Sequence, residues 1–298
     1  MARAFPAAPA WAEVSLGALA HNLERMKRLA APAGVIAMVK ANAYGHGLVE
    51  ASRAFLKAGA WGLAVAFPAE GTALRRAGVR APILVVAPVL KEGALEALRS
   101  KLIPQVSSYE GALLVSRAAE KLRLSSVPVQ VELDTGMGRV GFRPGEIFRD
   151  LGRLLKLPRL RFTAFYAHFA TADWADPKFA ARQARTFHQV MRGAGFFLSP
   201  REKAMPTHLA NSAALLTRAL RSPAALARPG IALYGVPPSP RLDAGLKPAM
   251  SLRARILHLK TIDKGDAVSY GRTFVAKRPT RVATLGLGYA DGLHRALS

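Results

Sequence analysis

Val35-Ile36-Ala37-Met38-Val39-Lys40-Ala41-Asn42-Ala43-Tyr44-Gly45-His46-Gly47 is an unbroken apolar run that stops on a lysine and passes into a glycine-containing turn. Such a run reads as a buried strand. It delivers one amine to its end, and no carboxylate stands within several residues to neutralise it. An unpaired ammonium in that position costs on the order of several kcal/mol of desolvation unless it loses its proton or finds a partner. Two readings follow from the residues alone. The head group snorkels to solvent, or the lysine is deprotonated and acts as a nucleophile that forms Schiff bases with carbonyl compounds.

Outward from this segment, short apolar runs alternate with amphipathic helices. Strands are predicted at Val35–Val39, Trp61–Val65, Ile83–Val86, Ile103–Val106, Val127–Leu133, Arg161–Tyr166, Thr207–Leu209 and Gly230–Tyr234. Helices fit between them at Gly47–Lys57, Pro68–Ala77, Lys91–Ser100, Tyr109–Leu122, Pro144–Leu157, Pro177–Gly193 and Ser212–Leu220. Eight strands with intervening helices are the count of a (β/α)8 TIM-type barrel. A doubly wound sheet would need a glycine-rich phosphate loop after its first strand, and no G-x-G-x-x-G follows any strand here. Lys40, Asp134, His168 and Asn211 each fall at or just beyond the C-terminal end of a predicted strand, where barrel active sites are built.

After Pro237-Pro238-Ser239-Pro240 the pattern changes to β sequence without helices, in Ser251–Ile262, Ala267–Ser269 and Arg281–Leu287. The chain therefore divides into a barrel over residues 15–236 and the beginning of an all-β domain over residues 237–298. Residues 1–14 contribute a strand, Ala10–Val14, to the β domain, and Ser15 is the N-cap of a helix over Leu16–Leu29.

Composition narrows the function classes. With 298 residues and 51% hydrophobic content, the chain has ample material for a core. It contains no cysteine, which excludes disulfides and Cys-ligated metals, and no metal site is expected. The start, Met1-Ala2-Arg3-Ala4-Phe5-Pro6, has no apolar signal region, and no uncharged stretch approaches a membrane span, so no membrane partner and a cytoplasmic location are expected. The net charge of +24 arises from 43 Lys and Arg against 19 Asp and Glu. These basic residues are scattered without a run of five, and the densest stretch, Arg153 to Arg161, reads as one amphipathic helix leading into a strand. With no recognised nucleic-acid motif, weak adhesion to polyanions at low salt is expected, and specific nucleic-acid binding is not.

Several further residues carry two readings each. Arg139, in the glycine-rich loop Asp134-Thr135-Gly136-Met137-Gly138-Arg139, is a solvated loop cation or an anion clamp. His168 is a hydrogen-bonded barrel histidine or a functional one. Asn211-Ser212 caps a helix or binds an anion, and the two roles are compatible. Tyr270 in a β hairpin is a packing aromatic on its own evidence, and Glu132 a solvated strand-end acid.

The exact strings choose between these readings. Val39-Lys40-Ala41-Asn42-Ala43-Tyr44-Gly45-His46-Gly47 resembles the cofactor-lysine motif of alanine racemases, fold-type III enzymes dependent on pyridoxal 5'-phosphate (PLP). Further blocks follow in the family's order over nearly the whole chain. Glu132 to Arg139 is similar to the substrate-arginine loop, His168-Phe169-Ala170-Thr171-Ala172-Asp173 to the histidine block, and Ala210-Asn211-Ser212-Ala213 to a phosphate-side turn. Arg228-Pro229-Gly230-Ile231-Ala232-Leu233-Tyr234-Gly235 resembles the segment at the pyridine nitrogen and phosphate, and Val268-Ser269-Tyr270-Gly271 the segment with a catalytic tyrosine. Gly288-Tyr289-Ala290-Asp291-Gly292 is a last landmark.

The resemblance implies a two-base interconversion of L- and D-alanine that supplies D-alanine for peptidoglycan. Lys40 would work on one face and Tyr270 on the other, with Tyr270 reaching across a homodimer into the partner's site. It implies Tyr44, Asn211, Ser212 and the backbone of Gly230 and Ile231 around the phosphate, and His168 against the cofactor ring. Arg228 would face the pyridine nitrogen, and Arg139 the substrate carboxylate. Glu132 departs from the pattern. Many relatives have there a lysine that becomes carbamylated, so Glu132 is expected to do the carbamate's work by pairing with Arg139. The chain also stops seven residues after Asp291, short of where family members end, so a truncated form that is weakly active or inactive is expected. A racemase of broader specificity and a non-catalytic PLP-binding barrel remain the alternative readings.

Overall fold

The computed structural model describes residues 7–217, 225–242 and 245–297. They form two compact units, one of Ser15–Ala249 and one of the described residues in Met1–Val14 and Met250–Ser298.

In the larger unit the Ser15 hydroxyl accepts the Ala18 N–H at 3.2 Å and so starts the helix Leu16–Ala30, whose Leu19, Leu23 and Met26 form a buried stripe. Counting from β1 (Ala10–Val14), the next strands are β2 (Gly34–Met38), β3 (Gly62–Val65), β4 (Ile83–Val85), β5 (Ile103–Val106), β6 (Val127–Glu132), β7 (Leu160–Tyr166), β8 (Thr207–His208) and β9 (Leu226–Ala227). Strands β2 to β9 make one sheet in the order β8-β7-β6-β5-β4-β3-β2-β9, and every pairing is parallel. Two bonds span the remaining gap between β8 and β9, from the Ala225 N–H to the Thr207 carbonyl at 3.1 Å and from the Arg228 N–H to the Ala210 carbonyl at 2.8 Å. The result is a nearly closed eight-stranded barrel with helices between its strands. Alternate strand residues meet in one buried cluster of Ile36, Met38, Ala64, Leu84 and Leu226. Burying each large aliphatic side chain there contributes about 1.5–3 kcal/mol.

One strand differs from expectation. The eighth is Leu226–Ala227, while Ile231–Tyr234, inside the predicted strand Gly230–Tyr234, is a 3-10 turn. A short apolar run does not by itself distinguish strand from turn. Here the N–H groups of Gly230 and Ala232 donate to the Ser212 hydroxyl, at 2.8 and 3.3 Å, instead of to a neighbouring strand. The helix expected to Leu220 is described as Ser212–Thr217, and residues 218–220 lie outside the described residues.

The unit boundary also lies further along than residues 236/237. Buried Asn22 donates through Nδ2 to the Leu233 and Lys247 carbonyls, at 3.2 and 2.8 Å, and its Oδ1 accepts the Lys247 N–H at 2.8 Å. Ala249 bonds on both sides, to the Tyr234 carbonyl and the Ser15 N–H. The segment up to Ala249 is thereby tied to the barrel.

In the second unit, β1 pairs antiparallel with β10 (Met250–Ala254) and β11 (Ile256–Ile262) with β14 (Thr280–Leu285). A hairpin of β12 (Ala267–Val268) and β13 (Phe274–Val275) carries Tyr270 in the 3-10 turn Tyr270–Arg272 that connects its strands. The predicted stretch Ser251–Ile262 is therefore two strands, broken at Arg255, whose N–H bonds to the Pro9 carbonyl at 2.8 Å. Among the described residues no helix is long and apolar enough to cross a membrane.

Asn22 gives a direct test of the tie between helix and tether. Asn22→Leu keeps the volume but strands two carbonyls and one N–H, each worth about 1–3 kcal/mol when left unpaired. Urea unfolding should show a loss of about 3 kcal/mol through a lowered midpoint with an unchanged slope.

Candidate active site

The C-terminal ends of β2, β6, β7 and β9 converge on a cavity of about 250 Å³. Met38, Glu132 and Tyr166 are the last residues of their strands, and Arg228 follows the last residue of β9. The loops that continue from the barrel's strands add Lys40, Tyr44, Arg139, His168, Asn211, Ser212, Gly230 and Ile231 to the same walls. Every barrel residue to which the resemblance assigns a site role thus lines one cavity, and Asp134, also singled out at a strand end, does not. Tyr270 is in the β unit, where its ring is 88% exposed.

Lys40 opens an unusual piece of backbone. Ala41, Asn42, Ala43 and Tyr44 all have φ between 52° and 54°, a left-handed turn built without glycine. Each such residue costs about 1–2 kcal/mol, so the turn has to be held from outside. Asn42 Oδ1 accepts the Leu48 N–H at 2.8 Å, and the Tyr44 ring packs on Tyr234 with centroids 4.8 Å apart. The Tyr234 hydroxyl in turn donates to the Met38 carbonyl at 2.8 Å, fixing the end of β2.

Arg228 is buried, and its bonds join three strand ends. Its guanidinium donates to the Ala167 carbonyl at 2.7 Å and the His208 carbonyl at 2.8 Å, also meets His208 Nδ1, and lies 4.6 Å from the Tyr166 ring centroid. His208 stacks on Tyr166 at 4.8 Å and 8°. Burial, reinforced by Arg228, pushes the His208 pKa well below its ordinary value, so the ring is neutral. With Nδ1 accepting from Arg228, the proton sits on Nε2 and is donated to Gln130 Oε1 at 2.9 Å.

Glu132 is also buried, and its Oε2 accepts the Tyr166 hydroxyl at 2.9 Å. Desolvation raises its pKa, while the Tyr166 bond and the charges of Arg228 and Arg139 oppose the rise. Tyr166 itself is held protonated, chiefly by burial and then by the Glu132 charge. The expected direct Glu132–Arg139 pair is not formed among the described residues, because the carboxylate is turned to Tyr166 inside the barrel while Arg139 sits on an exposed loop.

That loop is shaped by Asp134, whose Oδ1 accepts the N–H groups of Gly136 and Gly138 at 2.9 and 3.0 Å. Gly141 returns the chain toward β6 with φ of 116°, and a Cβ there would lie 2.6 Å from the Asp134 nitrogen. Asp134 therefore builds the loop and does not line the cavity. Opposite, Asn211 Oδ1 caps the Ser212–Thr217 helix through the Ala214 N–H at 3.0 Å, and its Nδ2 donates to the Phe169 carbonyl at 3.3 Å.

The cavity wall carries one more cation than carboxylates. Lys40, Arg139 and Arg228 line the cavity against the carboxylates of Glu132 and Asp173. His168 is held by Gln183, which bonds its carbonyl at 3.0 Å and the Ala170 N–H at 3.0 Å. Its pKa is pushed down to about 3 by burial, then by Arg228, Arg139 and Lys40. The excess cation gives the cavity a positive character, and both buried histidines, His168 and His208, are kept uncharged. Sequence reasoning missed Tyr166, His208 and Gln130. The strand-end criterion that selected His168 applies equally to Tyr166, whereas nothing local marks His208, inside the predicted strand Thr207–Leu209, or Gln130.

Residues 14–238 match the family model described as alanine racemase, N-terminal domain, and residues 249–298 match that of the alanine racemase C-terminal domain. An alanine racemase of Syntrophobacter fumaroxidans is 40% identical over 294 residues, spanning 98% of this chain and 77% of that protein. The structure of alanine racemase from the D-cycloserine-producing Streptomyces lavendulae superposes with a TM-score of 0.89 at 32% identity, over 99% of this chain and 78% of that one. A histidine racemase from Leuconostoc mesenteroides subsp. sake has a TM-score of 0.86 at 27% identity, over 97% and 77% of the two chains.

The depressed histidines fix the sign of a pH effect. An unfolded histidine titrates near 6.5, so between that pH and about 3 the unfolded chain binds protons that folded His168 does not. Stability of the cofactor-free protein should be fully present above pH 6.5 and fall as the solution is acidified. Unfolding midpoints at pH 7.5, 6.0 and 5.0 should drop less in His168→Asn than in the unaltered chain. An identical drop in both would place the titration elsewhere.

Proposed function

The chain belongs to the alanine racemase family, and from that membership we propose how its own residues carry the PLP-dependent interconversion of L- and D-alanine. The observation that carries the reading is the single cavity in which the Lys40 amine, Arg139 and Arg228 meet at the C-terminal end of the barrel.

The residues fit the cofactor. A Cβ at Gly230 would lie 2.6 Å from the Tyr44 hydroxyl, so only a glycine lets this backbone come so close to that group. Ser212, buried beside it, receives the Gly230 and Ala232 N–H groups on its oxygen and keeps its own proton for donation. Tyr44, Asn211, Ser212 and the backbone of Gly230 and Ile231 would hold the phosphate. Arg228 would face the pyridine nitrogen and neutral His168 the ring, and Lys40 would make the covalent attachment. When bound, PLP supplies the electron sink that makes the Cα proton of an amino acid removable.

The protein's part is placement and proton transfer. Arg139 holds the substrate carboxylate, on a loop fixed by Asp134 and Gly141. The Arg228 guanidinium, anchored on two carbonyls, does not give up its proton and so leaves a facing nitrogen unprotonated, which favours return of the Cα proton over further chemistry. Lys40 takes or returns that proton on one face. Because one base cannot reach both sides of a planar carbon, Tyr270 acts on the other, supplied by the partner in a homodimer. Glu132 supports Arg139 through charge at a distance, its carboxylate fixed by Tyr166. This permanent acid makes a carbamylated lysine unnecessary, and the free alanine pool sets the place of work in the cytoplasm.

Borohydride reduction of the PLP-loaded protein, followed by peptide mapping, should label Lys40, and Lys40→Ala should abolish attachment. Tyr270→Phe should keep attachment and lose racemisation by about 10²–10⁴-fold; near-normal turnover by that variant would sink the two-base assignment. Glu132→Gln should raise KM for alanine severalfold, and the unaltered protein should be indifferent to bicarbonate. Because a histidine racemase shares the architecture at 27% identity, racemisation of serine and histidine beside alanine tests the substrate. Turnover of either at the alanine rate would replace the narrow reading with a broad one.

A further inference from the structure

Glu70 stands in the first turn of the helix Pro68–Arg76, where an acid commonly caps the N–H groups before it. Its Oε2 does so, accepting the Ala66 N–H at 2.8 Å and the Phe67 N–H at 3.1 Å. The second oxygen does something that capping does not require. Oε1 accepts the N–H of Ala41, from the residue that follows Lys40 in a different loop.

That N–H occupies a particular place. The left-handed turn satisfies itself from its third residue onward, through Ala43 N–H to the Val39 carbonyl at 2.9 Å, Gly45 N–H to Ala41 at 3.0 Å and Gly47 N–H to Asn42 at 3.0 Å. The opening N–H of Ala41 has no acceptor in the turn, as at the start of any helical turn. A charged acceptor is the strong solution. It joins the first strained residue to the end of β3, one peptide away from the Lys40 Cα.

We propose that Glu70 is a positioning residue for Lys40, and that its bridge between Ala41 and Ala66-Phe67 sets the direction in which the Lys40 amine enters the cavity. The proposal rests on the reading of Lys40 as the cofactor lysine. Both carboxylate oxygens are used, on two different loops, so the bridge needs this side chain. Glutamine has one acceptor and would turn an NH2 group toward an N–H. Aspartate, shorter by one methylene, keeps the cap at Phe67 and falls short of Ala41.

Amide hydrogen exchange on the cofactor-free full chain reads the bridge directly. In both Glu70→Gln and Glu70→Asp, amides 41–47 should exchange at least tenfold faster, while in Glu70→Asp those of Pro68–Arg76 should not change. In the same samples the modification rate of the Lys40 amine by acetic anhydride, followed by mass mapping, should shift at least threefold, and the dissociation constant for PLP should rise about tenfold. Unchanged exchange over 41–47 in the aspartate variant would reduce Glu70 to a helix cap. Faster exchange with unaltered Lys40 reactivity would also overturn the proposal, because the turn would then move without carrying the amine. Should Glu70→Gln fail to fold, Glu70→Asp decides alone. Failure of the cofactor reading looks different: borohydride would not label Lys40 in the unaltered protein, while the exchange data would still report on the bridge.

Discussion

A buried guanidinium is the constraint from which the rest of this site follows. Arg228 is 3% exposed, and a charge so placed is tolerated only when its donors are met and its field is answered. The donors are met by carbonyls at the ends of β7 and β8, and the field by the Tyr166 ring and the carboxylate of Glu132. Each partner is then constrained in turn. His208 must be neutral to accept from Arg228, which directs its other nitrogen to Gln130. Tyr166 must keep its proton, because it is buried beside a carboxylate that needs a donor. One cation thus sets four side chains across β6, β7 and β8, all at the end of the barrel where the cavity opens.

This arrangement leaves the cavity with more cations than uncommitted carboxylates. Of its carboxylates, Glu132 lies buried with its charge committed to Arg228, Arg139 and the Tyr166 hydroxyl. The cations on the walls therefore keep an excess, and His168 is forced into its neutral form. Such an excess draws anionic groups toward the cavity. The large net charge of the whole chain is not needed for this. The cavity's positive character comes from three placed cations and not from a diffuse surface excess.

The sequence carried the frame of this picture, and its gaps have physical causes. Lys40 stood out because an apolar strand ends on it, and Arg139 because glycines at 136, 138 and 141 mark a loop that is not a simple turn, but each kept two readings until the family resemblance chose between them. The barrel was legible from eight apolar runs, yet the last was misplaced. Leu226–Ala227 is two residues long, too short for any periodicity, while the longer run beside it forms a turn around the Ser212 hydroxyl. Of the buried network, Tyr166 met the strand-end criterion and was passed over, while Gln130 and His208 look like ordinary strand residues until the sheet closes and brings them together. Glu132 was noticed, but its partner was misjudged: distance along the loop favoured Arg139, whereas the parallel pairing of Glu132 with Tyr166 puts the phenol directly alongside.

Backbone strain is stored directly after Lys40, in Ala41 to Tyr44. A right-handed turn would continue the chain in the relaxed form and carry Tyr44 elsewhere. The left-handed turn brings the Tyr44 hydroxyl against Gly230 and the Tyr44 ring onto Tyr234, while Tyr234 reaches back to the Met38 carbonyl just before the turn begins. The loop is closed on itself through these aromatic rings, so the strained segment and the eighth strand's turn hold each other. With Glu70 at its start and Asn42 bonded forward to Leu48, the turn is tied at both ends to rigid elements. Strain of this kind is retained only where the surroundings over-determine it, and here they do so in the four residues that directly follow Lys40.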